Sequence, residues 1–295
     1  MKAKRLIWRF RRWRLGRLLN SGGRKRPIYK FKSGDRVFLS NDEISYTLFA
    51  TGDFENNNRR LWECVVRPGN VVFDVGANWG LYTLAALRLT SGNGMVVAFE
   101  PNQTESKKLL DNLTLMSQQV DRNFVLRHEA LGDYTGHTTF HVPSEFKGAY
   151  GSIKRPDVNT DFSVIEVPIT TIDVVFEQED LKSLDVLKID VEGNELNVLN
   201  GAVNTLRTFA PFIFIEVSDR RTKAYGYKAR ELCDLLLQHG YRLYVPFGID
   251  GTGRALITRF TPSDYISYVD VFAVPERVEE ASLSGLGIEV VDNCS

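Results

Sequence analysis

The 295-residue chain is 43% hydrophobic, with 37 Lys/Arg against 37 Asp/Glu, enough for one large α/β domain with additions and a core that needs no disulfide or metal. Cys64, Cys233 and Cys294 lie far apart and form no metal-type spacing, the pattern of a reducing, cytoplasmic compartment, and no run of about 18 apolar residues is present to span a membrane. The zero net charge conceals a division: residues 1–30 hold 12 Lys/Arg and no acid, leaving 25 basic and 37 acidic residues, a net charge of −12, in the other 265.

The basic arm interleaves Arg with Leu6, Trp8, Phe10, Trp13, Leu15 and Leu18 and lacks the apolar stretch of a secretory signal. Trp and Arg together suit peripheral contact with the anionic inner face of a membrane. Nucleic acid is the weaker alternative, and a tail that does little is the inactive one. Four segments are expected: basic arm and linker (1–34), an N-terminal helical cap (35–68), a catalytic-type domain (69–275) and an acidic C-terminal tail (276–295).

After a short strand at Arg36–Leu39 and helical segments at Ile44–Ala50 and Arg59–Val66, strand-like and helix-like runs alternate. Strands are expected at Val71–Val75, Met95–Phe99, Phe124–His128, Val186–Ile189, Phe212–Val217, Tyr241–Val245 and Asp270–Val274. Helices are expected at Leu81–Leu89, Gln103–Met116, Glu195–Phe209 and Lys228–His239. This rhythm predicts an α/β fold, a mostly parallel sheet with helices on both faces. It breaks once, where Thr138–Val142 and Val164–Val167 alternate like an antiparallel pair.

The strongest chemical signal is VVFDVGANWGLYTLAAL, a buried strand running through Asp74-Val75-Gly76-Ala77-Asn78-Trp79-Gly80 into a helix. Ligands of open α/β sheets bind at the carboxyl ends of strands. Gly76 permits a sharp turn, and Gly80 lets the helix start lie close to the sheet or a ligand. The spacing is G-x-x-x-G rather than the dinucleotide G-x-G-x-x-G. Asp74 before the turn would repel a pyrophosphate but suits an ammonium or sulfonium, which favours S-adenosylmethionine over NAD. Glu100, ending the second strand, can accept from both ribose hydroxyls; its structural alternative, as a lone acid, is a helix cap. Glu129-Ala130-Leu131-Gly132-Asp133, ending the third, can present acceptors to an adenine edge.

These motifs, with GSI (151–153), LKIDVEGNELNVLNGA (187–202) and PFIFIEV (211–217), resemble the FkbM-type methyltransferases, a family of class I S-adenosylmethionine-dependent enzymes, over about residues 44–275. The resemblance implies a Rossmann-like, seven-stranded sheet, six strands parallel and the last, Asp270–Val274, antiparallel. It implies cofactor binding by the Asp74–Gly80 loop (Asp74, Gly76, Asn78, Gly80), Glu100, Glu129 and Ala130, and methylation of a hydroxyl, often on a sugar or another secondary metabolite. Trp79 stands where a smaller aliphatic residue is expected and is read as packing on the cofactor or the preceding helix.

An alcohol is a poor nucleophile and needs a base or a metal. Asp190, at the carboxyl end of the fourth parallel strand, is expected beside the methyl group, as cofactor contact and as catalytic base. Glu192, on the same side if the chain stays extended, is the second catalytic candidate; its structural alternative caps the next helix or pairs with Lys188. Asp190, Glu192 and Glu216 together make an oxygen site for Mg2+. Glu195, in the first turn of a helix, reads as structural, as do His128 and His141. The polar insert Ser144–Phe162 is placed to cover the cofactor or line an acceptor pocket, with Lys147, Lys154 and Arg155 available to an anionic acceptor. The rival reading is a noncatalytic binding module whose basic arm holds nucleic acid or a protein partner.

Overall fold

The computed structural model describes residues 14–19, 26–52, 54–116, 123–144, 150–157 and 160–292. Its main sheet has nine strands, in the order β14-β12-β11-β13-β10-β9-β3-β4-β5. The centre is parallel: β5 (Phe124–Arg127), β4 (Met95–Phe99), β3 (Val71–Val75), β9 (Val186–Ile189) and β10 (Phe212–Val217). β13 (Val269–Pro275) runs antiparallel to β10, and β11 (Tyr241–Ile249) antiparallel to β13, so β11 runs with the parallel set.

All seven expected strands are present, with the last of them antiparallel, but the sheet is larger than seven. β12 (Ala255–Arg259) returns from β11 through Asp250, whose carboxylate accepts from the backbone N–H groups of Thr252 and Arg254. β14 (Ile288–Val290) pairs parallel with β12. The stretch expected as an acidic tail thus adds α11 (Glu280–Leu283) and an edge strand, with Ile288 buried.

Central strands covered on both faces read as near-continuous apolar runs, and their alternation sorts side chains between two cores. Phe214 of β10 packs with Trp62, Tyr82 and Phe272 on one side of the sheet, while Ile213 and Ile215 join Phe73, Leu187 and Leu236 on the other. On β9 the same alternation sends Leu187 and Ile189 to the second core. It turns Lys188 toward the first, where its ammonium sits 5.0 Å from the Tyr82 ring centroid.

The first core is also covered by α2 (Glu43–Thr51) and α3 (Asn56–Val65). A helical stretch, α1, at 14–19 contributes the fully buried Leu15. The basic arm is therefore tied to the body at this point; residues 1–13 and 20–25 lie outside the described residues. The antiparallel pair is β7 (Gly136–Pro143) against β8 (Phe162–Thr170), with β6 (Ala130–Leu131) added to β8. The helix expected over 195–209 is two, α7 (Glu195–Asn200) and α8 (Val203–Phe209). They break at Gly201, where a Cβ would stand 2.0 Å from the Gly132 carbonyl oxygen.

Candidate active site

A cavity of about 380 Å³ opens at the carboxyl ends of β3, β4 and β9, within the range of about 300–1,000 Å³ for small-molecule sites. Its floor is the turn between β3 and α4 (Leu81–Thr90). Gly76 has φ +79°, and a Cβ there would stand 1.9 Å from the Asp190 carbonyl oxygen. The glycine thus sets how closely two strand ends approach. Gly76→Ala is expected to destabilise the protein by about 2–5 kcal/mol, the left-handed penalty plus the overpacking penalty, read by urea unfolding. Gly80, with φ +90°, begins α4 against Leu109, 2.7 Å from where its Cβ would lie; it does not line the cavity.

The other expected cofactor residues divide. Asn78, Glu100, Glu129, Ala130 and Asp190 line the cavity. Asp74 does not: it is fully buried beneath the floor, where Oδ2 accepts from the Thr83 hydroxyl at 2.6 Å and Oδ1 lies 3.8 Å from Lys188 Nζ. Strand alternation turns it toward α4, so its contact with a ligand is indirect. Asn78, with φ +51°, aims its N–H at Glu100 Oε2 (2.9 Å), while Oε1 accepts from Asn102 N–H (2.8 Å). Burial pushes Glu100 up to about 8, against the pull of those N–H donors. Glu129 pairs with Arg127. Trp79 is buried at the wall, held through its carbonyl by Asn112. Tyr150, Gly151 and Ile153 of the polar insert reach the lining; Lys154 and Arg155 are exposed, and Lys147 lies outside the described residues. His128 and His141 do not line the cavity.

Glu192 sits at φ +60°, so the chain turns after Asp190 instead of staying extended. Even so, one oxygen each from Asp190, Glu192 and Glu216 lie within 4.8 Å of one another. Two cations separate their charges. Lys188 Nζ is 3.2 Å from Asp190 Oδ2. Arg221, from the short α9 (Asp219–Thr222), contacts Glu192 and places Nε 2.5 Å from Glu216 Oε1. Burial pushes Asp190 up, but Lys188 and Arg221 outweigh it and hold the carboxyl below its ordinary range. Glu216 goes the other way: burial first, then the neighbouring Asp190 and Glu195 charges, push it well up. Of the two, Asp190 is the more readily ionised. Glu195 closes the turn behind them, its Oε1 accepting from Val191 and Gly193 N–H. That is a structural role, as its place at a helix start suggested.

Glu55, Glu100 and Glu195 are raised mainly by burial, from 4.5 to about 7, 8 and 7. Between those limits the folded protein binds more protons than the unfolded chain, so stability falls as pH rises. Urea unfolding of the cofactor-free protein is expected to give a higher unfolding free energy at pH 5 than at pH 8, and Glu100→Gln to flatten the slope.

Sequence reasoning missed Arg221 and Glu55. Arg221 follows Glu216 by five positions, but nothing in Asp219-Arg220-Arg221 distinguishes it from Arg220, which instead reaches the Asp157 carbonyl. Glu55 opens α3 in a polar run that resembles surface.

Read from one side, the seven shared strands stand in chain order third, second, first, fourth, fifth, seventh, sixth, with the seventh reversed and the cavity at the parallel carboxyl ends. That arrangement defines a class I methyltransferase. A model of the methyltransferase FkbM domain matches residues 74–243, more than half of the chain. The chain belongs to the FkbM methyltransferase family. It is 27% identical over 208 residues to the 2-O-methyltransferase NoeI of Sinorhizobium fredii, covering 66% of this chain and 82% of NoeI. It is 32% identical over 148 residues to the hexuronic acid methyltransferase AglP of Haloferax volcanii, covering 50% of this chain and 56% of AglP. The AMB antimetabolite synthetase AmbE of Pseudomonas aeruginosa is 30% identical over 221 residues, 64% of this chain and a tenth (10%) of AmbE. The FkbM methyltransferase structure from Methylobacillus flagellatus aligns with a TM-score of 0.42 and 17% identity, over 79% of this chain and 56% of that one.

The cavity suits S-adenosylmethionine on its own terms. Seven carboxylates and two cations, Lys188 and Arg221, line it, a balance that favours a ligand carrying more positive than negative charge.

Proposed function

We propose that the protein transfers a methyl group from S-adenosylmethionine to a hydroxyl of a saccharide or a similar hydroxylated metabolite. The observation that carries this reading is Asp190, facing the cavity from the end of β9 and kept ionised by Lys188 and Arg221. When bound, the cofactor supplies an already activated methyl group. Glu100 would hold the ribose hydroxyls, its oxygens oriented by two backbone N–H groups, and Glu129–Ala130 would meet the adenine edge. Asp190 accepts the hydrogen bond of the acceptor hydroxyl, aligning its lone pair. It then takes the proton as the new O–C bond forms. Its low basicity is no obstacle, because the oxygen becomes acidic as it gains the methyl group, so proton transfer accompanies or follows bond formation. Glu192 acts through Arg221, which it holds against Glu216.

Mg2+ is the alternative activator. Three carboxylates converge, but Arg221 is the cation on two of them, so the donor set as built fits a guanidinium better than a hard metal ion, and no metal step is part of the reading. The names of NoeI and AglP, a 2-O-methyltransferase and a hexuronic acid methyltransferase, support a hydroxylated saccharide acceptor. Incubating labelled S-adenosylmethionine with fractionated glycan extracts tests the reading: wild type labels a hydroxyl-bearing fraction, and Asp190→Ala does not. No labelled fraction, or equal labelling by the variant, sinks it.

The charge of the arm supports peripheral contact with an anionic membrane surface. No helix among the described residues is long and apolar enough to cross a membrane. Deleting residues 1–13, which spares the buried Leu15, is expected to weaken sedimentation with phosphatidylglycerol vesicles; unchanged binding removes the idea.

A further inference from the structure

Of the seven carboxylates on the cavity wall, most are already answered. Asp190 has Lys188, Glu192 and Glu216 share Arg221, Glu129 has Arg127, and Glu100 accepts two backbone N–H groups. Glu43 lies in the first turn of α2, where the helix dipole favours an acid. Glu55 is different. Its Oε2 accepts from the Tyr82 hydroxyl at 2.6 Å, and no Lys or Arg among the described residues forms an ion pair with it.

Its backbone is also unusual. Glu55 sits at φ +53°, ψ 41°, in the left-handed region, where Gly or Asn is at home and other side chains cost about 1–2 kcal/mol. Three asparagines follow it directly, yet this position carries the acid. Its side chain makes no hydrogen bond to the start of its own helix, so helix capping does not explain it. The groups facing it are Asp190 and Lys188 at β9, the neutral Tyr82 hydroxyl of α4 and Asp270 of β13; Glu216, from β10, and Tyr268, just before β13, also feel its charge. Acids outnumber the one lysine in that set. A partly buried carboxylate so surrounded is destabilised when empty and gains most from an arriving positive charge.

Methyl transfer changes one charge in this cavity. S-adenosylmethionine carries a sulfonium, and its product, S-adenosylhomocysteine, a neutral thioether; ammonium, carboxylate, ribose and adenine are common to both. We propose that Glu55, from the helical cap that precedes the matched domain, is the residue through which the cofactor site recognises the sulfonium charge, so that its loss on methyl transfer weakens the hold on the product. This rests on S-adenosylmethionine being the cofactor. The N-terminal cap is then part of the cofactor site, and reaction itself loosens the ligand without a conformational step.

Calorimetry on the full chain tests this without any acceptor, using S-adenosylmethionine and S-adenosylhomocysteine as probes. In Glu55→Gln, the ratio of the two dissociation constants should shift about tenfold against S-adenosylmethionine, the size of an ordinary coupling between charged sites, with product affinity nearly unchanged. Sinefungin, whose amine puts a positive charge at the same place, should follow S-adenosylmethionine. Near pH 7, where burial places the empty Glu55 carboxyl, S-adenosylmethionine should release more protons than the product in wild type and not in the variant. Subtracting one ligand from the other cancels Glu100, which both ribose groups meet alike. Tyr82→Phe, which keeps the carboxylate, should retain the discrimination and shows that the effect is not a general loosening. Equal weakening of both ligands in Glu55→Gln, or no change in their ratio, overturns the proposal while leaving the cofactor assignment intact. Failure of wild type to bind either ligand overturns both.

Discussion

Asparagine in place of Asp190 is expected to slow methyl transfer about a thousandfold, in the middle of the range for losing a positioned general base, with S-adenosylmethionine affinity changed only a few-fold. The substitution keeps the shape and one acceptor oxygen, so loss of rate reports loss of charge and proton acceptance rather than a cavity. It also leaves Lys188 with Asp74 alone, 3.8 Å away, and a lower melting temperature is expected alongside. Measuring rate and cofactor affinity separately divides the two effects. Because Lys188 and Arg221 hold Asp190 below its ordinary range, the wild-type rate should show no loss that belongs to Asp190 until pH falls well into the acid range. A rate that drops with a midpoint near 7 would instead assign the base to Glu55, which lines the cavity and whose carboxyl lies there. Full activity in Asp190→Asn would remove Asp190 from the chemistry.

How much of this was legible in the sequence follows from which forces are local. The parallel strands were readable because β3, β4, β9 and β10 are covered on both faces and so must be apolar almost throughout. β14 was not, since an edge strand needs only half its residues buried and β14 offers just Ile288 fully, and β12, five residues long between β11 and β14, carries no local signal that sets it apart from a loop. Asp190 could be placed because a strand end fixes where a side chain emerges. Arg221 could not: its partner Glu192 is far along the chain, and the contact exists only once β9 and β10 lie side by side. The three carboxylates expected to hold Mg2+ do converge, and among the described residues Lys188 and Arg221 are the cations beside them. Asp74 marks the opposite limit. Its place before the glycine turn was right, but strand alternation buries it under the floor, where it anchors Lys188 and Thr83 instead of a ligand.

Alanine at position 221 is expected to be the most damaging single change outside Asp190, and the most informative about metals. Removing one partner of a mostly buried ion pair typically costs about 3–5 kcal/mol; here the lower end applies, since the Arg221 side chain keeps 24% of its exposure. Glu216 is already pushed toward its neutral form by burial and surrounding acids, so the uncompensated charge falls on Glu192 and Asp190. Adding Glu216→Gln should therefore recover only part of the loss, as read by urea unfolding. The same variant vacates the space between three oxygens that lie within 4.8 Å of one another. With the guanidinium gone, the donor set becomes one that a hard divalent cation can use. Millimolar Mn2+ should then raise the melting temperature of Arg221→Ala by several degrees, since a ligand that binds only the folded state stabilises it by mass action. Wild type should show no comparable shift, and dialysis against EDTA should leave its methyl transfer unchanged. An equal Mn2+ shift in wild type, or activity lost to EDTA and restored by Mg2+, would mean that metal and arginine share the site, and the assignment of Arg221 as its cation would fall.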